Sequence, residues 1–229
     1  MKKYELVTND TINLADGTIL YRIKALKSFN DIGKGDLGGY VATEDNLSHE
    51  GYCWIYQSGK VYGEAIVSDN AVVCGEAEVF DFATVKDSAI VTDHAHVYGH
   101  ATIAGNAFLE DRAMAYNHVT IRDTATLSSD AQVYVDNTVV CGNAMLNHNA
   151  EVKSSTDYLV VGPMSSKADD FITYYNTDYG IYAHSIDFDA CSIEDFEDEI
   201  KTHKDMGIEP EEYCDKILAS ISFAKSMLY

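Results

Sequence analysis

The chain has 229 residues, 46% of them hydrophobic and 23% charged, enough for one sizeable folded domain with a small appendage. Its 16 Lys and Arg face 37 Asp and Glu, a net charge of −21, which argues against a phosphate-tracking nucleic-acid binder and against docking on an anionic membrane. No apolar run reaches the roughly 18 residues of a membrane span, and Met1-Lys2-Lys3-Tyr4-Glu5 meets a Glu where a signal peptide needs an apolar stretch. Five scattered cysteines do not read as a disulfide framework, so a reduced cytosolic protein is expected.

Taken in chain order, Thr11-Ile12-Asn13-Leu14 and Thr18–Ile23 flank Ala15-Asp16-Gly17 and read as a β-hairpin turning at Asp-Gly. Residues 28–50 are Gly-rich and read as a capping loop, and Gly51-Tyr52-Cys53-Trp54-Ile55-Tyr56 as the opening of the next unit.

From Val61 to Val133 an aliphatic position recurs every sixth residue, thirteen times, and is a large aliphatic everywhere except Ala115. Four residues after each comes Ala, from Ala65 to Ala131, except at Val119. The two exceptions are neighbours of opposite size, a swap that can conserve core volume. Helices repeat at 3.6 and ordinary strands at 2, so neither explains a period of six. The pattern predicts a mainly β fold: a left-handed parallel β-helix, triangular, with three hexads making a coil of 18 residues. Gly63, Asp69, Gly75, Asp81, Asp87, Asp93, Gly99, Gly105, Asp111, Asn117 and Asp123 fall at the corners, where residues tolerant of positive φ are needed. A one-residue phase slip is expected near Val139–Cys141.

The hexads stop near residue 154. Tyr158–Val161, Phe171–Tyr175 and Gly180–Phe188 read as strands. Ser192-Ile193-Glu194-Asp195 opens a helix to about His203, and Pro210 a second to about Met227. The expected organisation is therefore a hairpin and capping loop over 1–50, the β-helix over 51–154 and a small α+β unit over 155–229.

Residues 18 apart should stack. One file is Tyr62, Phe80, Tyr98, Tyr116 and Tyr134, and a neighbouring corner file is Glu64, Phe82, His100, His118 and Asp136. An apolar file, Val72, Ile90 and Phe108, leads to Thr126, and Thr84, Thr102, Thr120 and Thr138 form another. An exposed aromatic ladder is a candidate binding surface, as is the Val72 file, for a second copy, the C-terminal unit or a partner. Two His with one Asp fall short of a four-ligand metal site, so neither a metal nor a cofactor is expected.

Gly38-Gly39-Tyr40-Val41, Asn46-Leu47-Ser48 and Gly51–Tyr56, followed by Val-x-Gly-x-Ala hexads, resemble the YdcK-like β-helix proteins, a branch of the hexapeptide-repeat superfamily, over roughly residues 4–155. The resemblance implies the β-helix, a setting in phages and prophages, and no site residues that carry over. Joined to the charge, it leads to the expectation of a non-catalytic, homo-oligomeric accessory protein whose acidic rod binds a host protein with a basic surface, such as a nucleic-acid-binding defence component, and inhibits it or acts as a decoy. The alternatives are a hexapeptide-repeat acyltransferase with His100 or His118 as base at a subunit interface, and a scaffold or small-molecule sequestering protein.

Overall fold

Each hexad contributes a two-residue strand and a corner, and three hexads complete one turn, so that Ile90 pairs in parallel with Val72 before it and Phe108 after it. The computed structural model describes residues 2–165 and 170–228. About six turns stack into a β-solenoid with three flat faces. The first face carries the strands at 60–61, 78–79, 96–97, 114–115, 132–133 and 151–152, the second those at 66–67, 84–85, 102–103, 120–121 and 139–140, and the third those from 54–55 to 145–146. Strands this short hold only because each N–H finds a carbonyl one coil on: Ile66 N donates to Ala83 O, Thr84 N to Ala101 O and Thr102 N to Val119 O, each at 2.9 Å.

The inward residues are those of the repeat. The aliphatic positions from Val61 to Val133 and the small ones from Ala65 to Ala131 are all buried, Ala115 and Val119 included. Every corner residue expected to need positive φ has it, from Gly63 at +65° to Asp123 at +64°. Gly75 has a second reason to be glycine, since a Cβ there would stand 2.6 Å from the backbone nitrogen of Asp93 in the coil above.

The corner aspartates do more than tolerate the turn. Asp69, Asp81, Asp87, Asp93, Asp111 and Asp123 each accept, through Oδ2, the backbone N–H of the corner residue one coil on, at 2.9–3.3 Å. Much of the acidity of the solenoid is thus part of its corner framework.

The single extra residue lies earlier than the sequence suggests. Thr120 pairs with Val139 rather than with Thr138, so the insertion falls in the corner between Val133 and Val139. Thr138 turns inward and is buried; it takes the place of Val119 one coil below, and the threonine file ends at Thr120.

At the N-terminus, β1 (Tyr4–Asn13) and β2 (Ile19–Ala25) form the expected hairpin, longer at its open end, and β2 pairs antiparallel with β3 (Leu37–Val41). The segment expected to be a loop is therefore partly ordered: β3 pairs in parallel with the first strand of the first face, and a short 3-10 helix follows at Glu44–Asn46. Buried Asn46 donates through Nδ2 to the carbonyls of Gly63 and Ala65, both at 2.9 Å, and so closes carbonyls of the first coil.

The far end is closed by a four-stranded antiparallel sheet of Tyr158–Val161, Ile172–Thr177, Gly180–Ser185 and Cys191–Ser192. Its strand Ile172–Thr177 is buried on both sides. Ile172 and Tyr174 face α1 (Ile193–Met206) and α2 (Glu211–Leu228), whereas Tyr175 joins the solenoid core. Hydroxyls finish the ladder: Thr173 Oγ1 accepts Met145 N–H at 2.9 Å, and Tyr158 OH accepts Cys141 N–H at 3.2 Å. Ser192 Oγ caps α1 by accepting Asp195 N–H, and Gly207, at φ +64°, ends it beyond the expected His203.

The Ala115–Val119 pair gives a direct test of core packing. Ala115→Val should cost about 1–3 kcal/mol by overpacking, and Val119→Ala a similar amount by leaving a cavity. The double variant should cost clearly less than the sum in urea titrations; additive losses would show that the two sites do not share volume.

Candidate functional site

The corner between the first and second faces carries two parallel files. Tyr62, Phe80, Tyr98, Tyr116 and Tyr134 stack with centroid spacings of 5.1, 4.9, 4.7 and 5.3 Å and interplanar angles of 3–11°. Beside them Phe82 stacks on His100 at 4.8 Å, and His100 on His118 at 4.5 Å. The coil spacing sets both, because identical backbone positions one coil apart hold their rings in register.

The aromatic file is not the fully exposed patch that the sequence suggests. All five rings are half-buried, because each covers its neighbour's face. The inner rings present edges, with the hydroxyls of Tyr98 and Tyr116, rather than free π faces. The end hydroxyls are engaged: Tyr62 donates to Glu78 Oε2 at 2.9 Å, with Lys60 on the other oxygen at 2.7 Å, and Tyr134 donates to Glu151. The Val72, Ile90, Phe108 file runs in register up the third face, each residue half-buried.

Of the two stacked histidines, His118 is the one paired with a carboxylate. Its Nδ1 faces Asp136 Oδ1 at 3.0 Å, and its backbone N–H donates to the same oxygen at 3.1 Å. One coil below, the equivalent His100 N–H goes instead to a backbone carbonyl, that of Asn117 at 2.8 Å. The extra residue between Val133 and Val139 opens this corner and lets the Asp136 side chain replace a carbonyl. The His118 hydrogen bonds hold the Asp136 carboxyl below its ordinary range. A carboxylate only accepts, so in neutral His118 the proton sits on Nδ1 and the Nε2 lone pair is left to act as a base. Asp136 stood in the sequence-derived file only as its last member. The signal that could have revealed its role is the seven-residue interval from Val133 to Val140.

The remaining histidines separate as their alternation requires. His94 lies exposed at another corner with Nδ1 3.6 Å from Glu76, and His96 lies on the first face between Glu78 and Met114. Among the described residues no group of three or more His, Cys, Asp or Glu is placed to hold a metal ion. No helix among them is long and apolar enough to cross a membrane. The cations of the solenoid are mostly engaged: Lys60 with Glu78 at 2.7 Å, Arg112 with Asp130 at 2.7 Å, Arg122 with Asp123 at 2.9 Å and Lys153 with Glu151 at 2.8 Å.

No family model matches the chain. It is 40% identical over 65 residues to an uncharacterized acetyltransferase, YdcK, of Escherichia coli strain K12, a match that covers 26% of this chain. The chain thus spans about a fifth of the length of the curated relative it matches, 20%. This finding overturns the expectation of a non-catalytic protein, which rested on the resemblance joined to the charge: the relative is named as an enzyme.

The ladder phenols make a pH prediction. Burial, and then the Glu78 hydrogen bond, raises Tyr62; burial raises Tyr98 and Tyr116; the Glu151 hydrogen bond, and then burial, raises Tyr134. An unfolded chain loses these protons near pH ~10 while the folded one keeps them, so the stabilisation is complete below about pH 10 and is lost as pH rises through the folded values. Tyrosinate absorbance should therefore lag behind free tyrosine and then rise together with loss of β circular dichroism. Titration of all the phenols at the free-tyrosine value, with the fold intact, would contradict the ladder.

Proposed function

We propose that the chain is an acyltransferase of the β-solenoid type in which His118, oriented by Asp136, is the general base. The observation that carries the reading is the His118 Nδ1–Asp136 contact at 3.0 Å in an open corner, which leaves Nε2 as the basic atom. It is supported by the name of the relative. Nε2 takes the proton of an acceptor amine or hydroxyl as that atom attacks the acyl carbonyl, and the tetrahedral intermediate then expels the leaving group of the donor. His100, stacked at 4.5 Å, fixes the plane of the His118 ring.

The acceptor follows from the charge. The corner segments 62–65, 80–83, 98–101, 116–119 and 134–138 contain Glu64, Asp81 and Asp136 and neither Lys nor Arg. A face of this sign concentrates a cationic acceptor, a polyamine or a lysine of a basic protein. The host protein with a basic surface expected from the composition enters here, as acceptor. In a homo-oligomer the Val72, Ile90, Phe108 file would supply the apolar contact between copies.

With acetyl-coenzyme A and spermidine or a lysine-rich peptide, thiol release should be measurable and should fall roughly 10²–10⁴-fold in His118→Ala. Asp136→Ala should lower the rate while leaving the fold unchanged by circular dichroism. Turnover unaffected by His118→Ala would remove His118 from the mechanism, and absence of acceptor-dependent thiol release would remove the acyltransferase reading.

A further inference from the structure

The N-terminal cap holds a buried nucleophile pair that acyl transfer at the His118 corner does not use. Lys3 and Cys53 are both fully buried. Lys3 Nζ lies 3.1 Å from Cys53 Sγ, 2.8 Å from Cys53 O and 3.4 Å from Glu50 O. Among the described residues no carboxylate lies at ion-pair distance from Lys3 Nζ; Glu50 acts on it at longer range, and its direct contacts are two carbonyls, a sulfur and the Phe29 ring 5.5 Å away. A buried ammonium without a counter-ion in contact is costly, and the neutral amine is the form that burial favours. Of the five free cysteines, Cys53 is the one with a lysine amine at hydrogen-bond distance from its sulfur among the described residues.

We propose that Lys3 and Cys53 form an oxidative nitrogen–sulfur cross-link, a sulfenamide, when the protein meets hydrogen peroxide. In the first step the Cys53 sulfur attacks the peroxide O–O bond. One oxygen stays on sulfur as sulfenic acid, and the other leaves as water with the thiol proton. In the second step the Lys3 amine lone pair attacks that sulfur. The S–O bond breaks, and the hydroxide leaves as water with one amine proton, closing the S–N bond. Sulfur is oxidised by two electrons and one peroxide is reduced to two waters. A sulfenic sulfur is known to condense with nitrogen in this way, and here the nitrogen already stands in contact with it.

The surroundings favour the second step over the first. Burial lowers Lys3 from the ordinary lysine range, which makes the neutral amine accessible. Burial raises the Cys53 thiol, with Lys3 opposing the shift, so oxidation is slow and depends on local opening of the cap. The link would join the start of β1 to the first coil and close a covalent loop across the whole cap, adding to its stability by restricting the unfolded chain.

The full-length protein is treated with hydrogen peroxide, digested without reductant and examined by mass spectrometry. The expected product is a fused peptide pair joining Lys3 to Cys53, 2 Da lighter than the two peptides together and restored by dithiothreitol. It should vanish in Lys3→Arg and in Cys53→Ser, and the melting temperature of the oxidised wild type should rise above that of the reduced protein. Sulfinic acid at Cys53 with Lys3 free, a Cys–Cys pair in its place, or a cross-link 14 Da heavier than the two peptides, with an oxygen kept between nitrogen and sulfur, would each overturn the assignment. Because Lys3→Arg also removes the link if the variant misfolds, its circular dichroism must match wild type; if it does not, the wild-type peptide map alone decides.

Discussion

The structure depends on one repeated hydrogen bond, from a backbone N–H to a carbonyl in the next coil. Strands of two residues have no stability of their own. They persist because Thr84, Thr102 and their equivalents hand each N–H upward without a break. That demand fixes the coil at 18 residues, forces a left-handed backbone conformation at each corner and leaves room inside for only one aliphatic and one small residue per hexad. The alternation of Val and Ala is the side-chain consequence of a backbone requirement.

The same requirement explains most of what lies outside. A side chain at a given position repeats at strand spacing, so aromatic rings become a stack and imidazoles meet face to face. Aspartate at a corner reaches the N–H above it, as Asp87 does for Gly105 at 2.9 Å. A rod built this way is acidic because its corners are, before any partner is considered. The proposed base stands where the period fails: beside one added residue between Val133 and Val139, the His118 N–H meets Asp136 instead of a carbonyl, and Asp136 also holds the imidazole. A regular coil would have left His118 as one more ring in a file, as it leaves His100.

The solenoid was legible in the sequence to a degree unusual for a β fold, because coil register is written in the spacing of Val61, Val67, Val73 and their successors. Corner residues and stacking partners followed by counting. The misplaced slip and the false threonine at 138 share one cause: an insertion changes the interval between inward residues without marking which corner absorbs it, and Val139-Val140 offers two candidates for the inward position. The caps were less legible, since Asn46 and Thr173 act through single hydrogen bonds to orphaned backbone groups, which no periodicity announces. The role of Asp136 was hidden for the same reason. The charge misled, because a count of carboxylates says nothing about which of them are spent on backbone N–H groups.

Excision of part of the repeat tests the coil-to-coil ladder most directly. Deleting residues 79–96 removes 18 residues and joins Glu78 to Val97, which lies directly above the deleted Val79 in the intact molecule. This shortened chain should remain soluble and unfold cooperatively in urea with a native-like β spectrum. Deleting only residues 79–81 should abolish cooperative folding, because every later Val and Ala of the repeat would fall three residues out of phase with the coil below. Equal tolerance of the two deletions would contradict a structure held together by coil-to-coil register.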